Sequence, residues 1–165
     1  MNDARAPIDA AKTEFLQAKA TISRSLEKTA EDRLAWSPAP SARTPLEIYA
    51  HAANSIRNIH DTLRGIVFPF PTSAEGDRSF REWERSFTTR EAAVQVMETN
   101  SADYILWLDA LDPARLDDEP EFPYGMGRFP IRLGITFVPR HTFWHAAQID
   151  YVQTVYGDRD WHTGF

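Results

Sequence analysis

The sequence predicts an all-α protein, a four-helix bundle forming one domain over residues 1–165, with an irregular loop or small hairpin before the last helix. Three observations carry this expectation. Four stretches of roughly 18 to 24 residues repeat apolar side chains at helical spacing; two of them open on a Thr/Glu capping pattern; and the segments between are broken by Pro and Gly, with no internal repeat. A chain of roughly 150 residues already buries about two thirds of its unfolded surface, so one core is enough.

The first helix is expected from about Ile8 to Lys28, where Ile8, Ala11, Phe15, Ala18, Ile22 and Leu26 mark one face. A connector follows at Trp36-Ser37-Pro38-Ala39-Pro40-Ser41-Ala42. The second helix, about Pro45 to Arg64, has the clearest start. Thr44 and Glu47 fit a capping box with Pro45 at the first helical position, and Gly65 is the stop. From Ile66 to Phe87 the breakers Pro69, Pro71 and Gly76 predict irregular chain with at most one helical turn near Phe80 to Trp83. Thr88 and Glu91 read as a second capping box, opening a third helix that runs to Asp112-Pro113. The stretch from Pro113 to Ile135, with four Pro and three Gly, can hold a loose hairpin but no long element. The fourth helix runs from about Thr136 or Pro139 to Tyr156, ahead of Gly157, and a short aromatic tail follows, expected to dock over the bundle end.

Composition narrows the function. The net charge of −6 repels a phosphate backbone and no cluster of Lys and Arg offsets it, so nucleic acid is not an expected partner. Cys is absent, leaving His, Asp and Glu to carry any site. The charged N-terminal stretch lacks the apolar run of a signal peptide, and no stretch approaches 18 apolar residues. The expectation is a cytoplasmic protein that does not span a membrane.

Five histidines are present. His141 and His145 are four apart, so their side chains point within about 40° of each other. Gln148 returns to within about 20° of His141, and the same face turns apolar at Val152, so the pair is expected to point inward. An HxxxH pair alone is a weak signal of metal binding. A third nitrogen would come from His51, His60 or His162. His51 and His60 lie about 180° apart on the second helix, and only one can face the pair. His60 falls within the apolar arc and reads as a core histidine with one hydrogen-bond partner. His51 shares a polar stripe with Glu47, Asn54, Ser55, Asn58 and Thr62; spacing leaves open whether that stripe is solvated surface or a wet pocket. Phe143 and Trp144 read as core or dimer-interface packing.

The segment TPLEIYAHAANSIRNIHDTLRG and the segment RHTFWHAAQIDYVQTVYGD, with its HxxxHxxQ pattern, resemble the second and last helices of the DinB/YfiT-like metalloprotein superfamily. Element order and separation match over nearly the whole chain. The resemblance implies an up-down-down-up four-helix bundle whose divalent metal is held by His51, His141 and His145, with no place in the triad for His60 or His162. It also implies a homodimer. Ala147 stands before Gln148 where many members have glycine, which leaves the ligand pattern untouched.

Three imidazoles would leave at least one position of an ion open, the mark of a catalytic site. Zn²⁺ and Ni²⁺ suit such donors, as do Fe²⁺ and Mn²⁺. The expected function is a metal-dependent enzyme of unknown small-molecule substrate, either a hydrolase or a transferase of a low-molecular-weight thiol. The resemblance points to the thiol in particular, through members that use mycothiol or bacillithiol. Glu47 is the candidate general base, although a cap is the plainer role for it. The alternative is a non-catalytic metal-binding or stress-response bundle, for which a fourth protein ligand such as Glu47 or His162 would close the shell.

Overall fold

In a computed structural model, which describes residues 3–160 and 162, four long helices form the body. They are α1 (Ala6–Lys28), α2 (Pro45–Leu63), α4 (Arg90–Ala110) and α6 (Phe137–Val155), with a twelve-residue α3 (Ser73–Glu84) and a four-residue α5 (Ile131–Gly134) between them. Short 3₁₀ turns lie at Glu31–Arg33, Pro113–Asp117 and Pro123–Gly125. The expected hairpin is present in minimal form: β1 (Glu121–Phe122) pairs antiparallel with β2 (Gly127–Arg128). Among the described residues no helix is long and apolar enough to cross a membrane.

The start of α2 forms as its sequence dictates. The Thr44 hydroxyl accepts the Glu47 amide at 3.2 Å and Glu47 Oε2 accepts the Thr44 amide at 2.9 Å, so two of the unpaired N-terminal donors are satisfied reciprocally. Two other starts differ from expectation. The cap of α4 is Thr89, whose side chain accepts the Ala92 amide, so the helix begins one residue past the Thr88/Glu91 register. The stretch read as irregular contains α3, capped by Thr72 accepting from Glu75. Gly76 is not a breaker there: it is buried inside the helix, and a Cβ at that position would lie 2.0 Å from the Tyr124 hydroxyl of the hairpin turn. The glycine serves close packing, and the Thr72/Glu75 cap outweighs its weak helix propensity.

The core lies where the four long helices meet. Phe15 of α1 packs edge-on against Tyr104 of α4 at 5.1 Å, and both are fully buried. Burying such a side chain contributes roughly 1.5–3 kcal/mol. The Tyr104 hydroxyl donates to the Ile135 carbonyl at 3.0 Å, which satisfies it; burial raises its pKa. α1 lies along α6, joined by Ser25 to Asp150 at 2.6 Å and by Gln153 Nε2 to the Ser25 carbonyl at 2.8 Å. α2 lies along α4 on one side and α6 on the other, with Asn100 Nδ2 donating to the Ala53 carbonyl at 2.8 Å. Lys12 meets Asp109 and Lys19 meets Glu98 between α1 and α4.

His60 is buried as expected, between the rings of Tyr104 and Trp107, but its Nε2 has no hydrogen-bond partner, so the expected partner is missing. Burial lowers its pKa and keeps the ring neutral. Phe143 and Trp144 are exposed, not core. Of the tail, His162 bonds Asp158 at 2.9 Å; the expected docking of the other tail residues, 161 and 163–165, falls outside the described residues.

Candidate metal centre

The capping box fixes where α2 begins, and with it the direction of His51, seven residues after the cap. α6 presents His141 and His145 one turn apart. The three rings converge. Their centroids are 4.4 Å (His141 to His145), 4.7 Å (His51 to His145) and 5.4 Å (His51 to His141) apart. One nitrogen from each ring lies within 4.8 Å of the other two. Among the described residues this is the sole group of three or more His, Asp or Glu side chains arranged closely enough to hold an ion.

Each outer nitrogen that is fixed is fixed by an oxygen. His51 Nδ1 sits 2.6 Å from Glu84 Oε1, and His145 Nδ1 sits 2.7 Å from Gln148 Oε1. A carboxylate or amide oxygen can only accept, so both Nδ1 atoms carry the proton and both Nε2 atoms keep a lone pair. His145 Nε2 is 3.2 Å from His141 Nε2. Two nitrogens that close need a proton or a cation between them. Around an ion with Zn–N bonds of about 2.0–2.1 Å, two tetrahedral nitrogens would stand ~3.3 Å apart, so the pair fits the donor set of such a site.

The electrostatics favour neutral rings. Burial first, then the neighbouring histidines, pushes His141 down to about 3, and burial with His51 pushes His145 down to about 4. Neutral imidazole is the form that binds metal. Glu84, only 1% exposed, is pulled two ways: burial works to raise its pKa, while hydrogen bonds from His51 and Arg43 together hold it below the usual carboxylate range. Arg43 grips it through Nε to Oε2 at 2.6 Å and Nη2 to Oε1 at 3.2 Å. This bidentate pair lets a buried carboxylate stay charged beside His51.

His51 and His141 open onto a cavity of about 530 Å³ between α2, α3, the hairpin and α6. Its walls are largely aromatic, with Phe68, Phe80, Phe122 and Trp144 among them, and Ser55 and Asn58 line it from α2. The polar stripe that carries His51 therefore faces a pocket. Asn54 faces a separate cavity of about 430 Å³ that touches none of the three histidines.

The family resemblance brought His51 to the His141/His145 pair and helical spacing set Gln148 beside it, and the four side chains lie together in the structure. Glu47 is engaged in the cap, with Arg85 3.8 Å from its other oxygen, and is not placed as a base. His162 is paired with Asp158 and stands apart from the cluster. Glu84 and Arg43 were not foreseen. The Thr72/Glu75 capping pattern could have revealed α3, and with it a carboxylate at the end of a helix facing α2.

The fold and the cluster define a class: helical bundles in which the second and last long helices bring three imidazoles to one point beside an aromatic cavity. This chain belongs to the DinB superfamily, whose family model matches residues 14–149. Solved structures share the fold, among them YfiT and DfsB. YfiT from Bacillus subtilis, described as a probable metal-dependent hydrolase with an unusual four-helix bundle topology, superposes with a TM-score of 0.73 at 12% identity, over 91% of this chain and 87% of that one. The sibling lethal factor precursor DfsB superposes with a TM-score of 0.68 at 13% identity, over 91% of this chain and 96% of that one. No curated protein sequence matches the chain.

Proposed function

We propose that the chain is a metal-dependent hydrolase whose divalent ion is held by His51, His141 and His145, in an up-down-down-up bundle. The observation that carries this reading is the convergence of three imidazole nitrogens within 4.8 Å at the wall of an aromatic cavity. Family membership and the likeness to YfiT support it. The helix order is supported by Lys12 with Asp109 and Lys19 with Glu98, which pair the early part of α1 with the late part of α4.

An ion in such a site supplies Lewis acidity, polarising a carbonyl and acidifying water. The protein's own residues do the rest. Glu84 and Gln148 hold two of the rings in one tautomer and orientation, which leaves the Nε2 lone pair of each free for the ion. Three protein donors leave a position for substrate, and no fourth His, Asp or Glu joins the cluster among the described residues. The aromatic walls exclude water from around the substrate, which strengthens every polar interaction inside. Zn²⁺ and Ni²⁺ are the first candidates for these donors, ahead of Fe²⁺ and Mn²⁺.

A second reading, transfer to or from a low-molecular-weight thiol, is favoured by one observation. No carboxylate lines the cavity, and both oxygens of Glu84 are engaged, so no protein base stands ready to activate water. A thiol is far more acidic than water and needs less help.

Elemental analysis of protein purified without a His tag should find close to one equivalent of a transition metal, lost in His145→Ala. The loaded protein should then turn over an ester or lactone, or a thiol with an electrophile, where His145→Ala does not. Equal turnover by the two proteins would remove the three histidines from the mechanism.

A further inference from the structure

The cavity beside the histidines has an uneven chemistry. Its walls carry the rings of Phe68, Phe80, Phe122, Phe129, Phe137 and Trp144, which favour an aromatic or branched apolar body. Its polar floor on α2 is neutral: Ser55 and Asn58 make no side-chain hydrogen bond among the described residues. One lining residue is a fixed charge. Arg140 lies at the exposed rim, next in sequence to His141, and it forms no ion pair or hydrogen bond through its side chain among the described residues. Arg43, Arg81 and Arg115 are engaged with carboxylates, whereas Arg24, Arg78 and Arg128 are as unengaged as Arg140 among the described residues but do not line this cavity. No Asp or Glu lines this cavity to balance Arg140.

A cavity with aromatic walls, one unengaged guanidinium and no carboxylate discriminates by charge. A cation entering it would meet Arg140 with nothing to pair with, and a neutral molecule would leave the guanidinium as it is. An anion would gain a charge-assisted, planar contact that matches the guanidinium fork. We infer that the substrate of this site is an aromatic or bulky apolar carboxylate, its body between the phenylalanine rings and its carboxylate on Arg140, with the reacting bond turned toward His51 and His141. This rests on reading the three histidines as the reaction centre. It adds that Arg140 selects and orients the substrate without taking part in the bond-making step.

Three probes of one shape test it: 2-naphthoate, 2-naphthamide and 2-naphthylmethylamine, titrated against the full chain by isothermal calorimetry and by tryptophan fluorescence. Each titration is run on zinc-loaded and on metal-stripped protein. The naphthoate should bind both forms roughly three- to tenfold more tightly than the amide, as expected of an Arg–carboxylate contact at a partly exposed rim, and the amine should bind most weakly. In Arg140→Gln the naphthoate should fall to the affinity of the amide, while the amide is unchanged. Ser55→Phe, which fills the cavity, should weaken all three probes.

Equal binding of naphthoate and amide by the wild-type protein would overturn the proposal. So would a preference for naphthoate that survives Arg140→Gln, including one seen only with zinc present, since the carboxylate would then sit on the ion. Binding untouched by Ser55→Phe would overturn it too, by locating the probes elsewhere. Zinc uptake is measured separately on the same samples. A chain that takes up no zinc would sink the reading of the histidines, yet the metal-stripped titrations would still decide the role of Arg140.

Discussion

Glu84 Oε1 lies 2.6 Å from His51 Nδ1, so a carboxylate that is 1% exposed at the end of α3 sets the orientation of a ring on α2. Glu84→Gln removes the negative charge and leaves Arg43 facing a neutral amide. Metal affinity, read by chelator competition, should fall about 10- to 100-fold, with a drop in melting temperature because Arg43 keeps only its longer contact with Asp77, at 3.4 Å. Unchanged affinity would mean that the contact does not tune the ring.

Gln148 makes the corresponding contact with His145, but from an exposed position. Gln148→Leu should therefore leave melting temperature nearly unchanged while lowering metal affinity by roughly tenfold. Gln148→Glu, which keeps an acceptor at the same place, should retain binding. A melting temperature that falls while affinity holds would assign Gln148 a purely structural role.

The metal-free protein should lose stability on acidification through the pH 6.5 region. His141 and His145 titrate near 6.5 when unfolded but are held down to about 3 and about 4 when folded. Between those limits the unfolded chain binds more protons, so stability falls with pH, by up to about 1.4 kcal/mol per unit for each histidine. The contribution is fully present above pH 6.5 and is lost as pH drops toward the folded values. Thermal melts of metal-stripped protein from pH 7.5 to 5 check this, and His141→Leu should show a shallower slope.

Gly134 ends α5 where a Cβ would meet Leu63 Cδ2 at 2.3 Å and Phe122 Cζ at 3.3 Å. Both neighbours are buried. Gly134→Ala should destabilise by about 1–3 kcal/mol, as overpacking of a filled core does, and should push Phe122 into the cavity. Chemical denaturation gives the first number; weakened binding of an aromatic probe checks the second.

How much of this could be read in the chain depends on the range over which each signal acts. The start of α2 is local chemistry: Thr44, Pro45 and Glu47 are enough, and the cap forms as written. The inward face of His141 and His145 follows from helical spacing. α3 was hidden because Pro69, Pro71 and Gly76 look like breakers; the reason for a glycine at position 76 is the close approach of Tyr124, 48 residues away in the chain. Missing α3 also concealed Glu84, since nothing in the spacing of α2 names a partner on another element. The polar stripe around His51 was ambiguous for the same reason: an aromatic wall supplied by α3, the hairpin and α6 makes it a pocket, and periodicity within one helix cannot see that wall. His60 shows the converse, a burial that the apolar arc foretold and a hydrogen bond that it did not.

The hydrogen bonds from Arg43 and His51 to Glu84 tie the start of α2 and the segment just before it to the end of α3 through a single carboxylate, and they give the bundle a mechanical linkage. Whatever occupies the histidines also favours α3 docked against α2, because rotating His51 out of place breaks its hydrogen bond to Glu84. Amide protons of α3 should therefore exchange with solvent more slowly once zinc is added, though none of its residues is a ligand, and α3 should be the first helix to open when the ion is withdrawn. In that sense the twelve-residue helix is a gauge of occupancy, readable from the outside of the molecule.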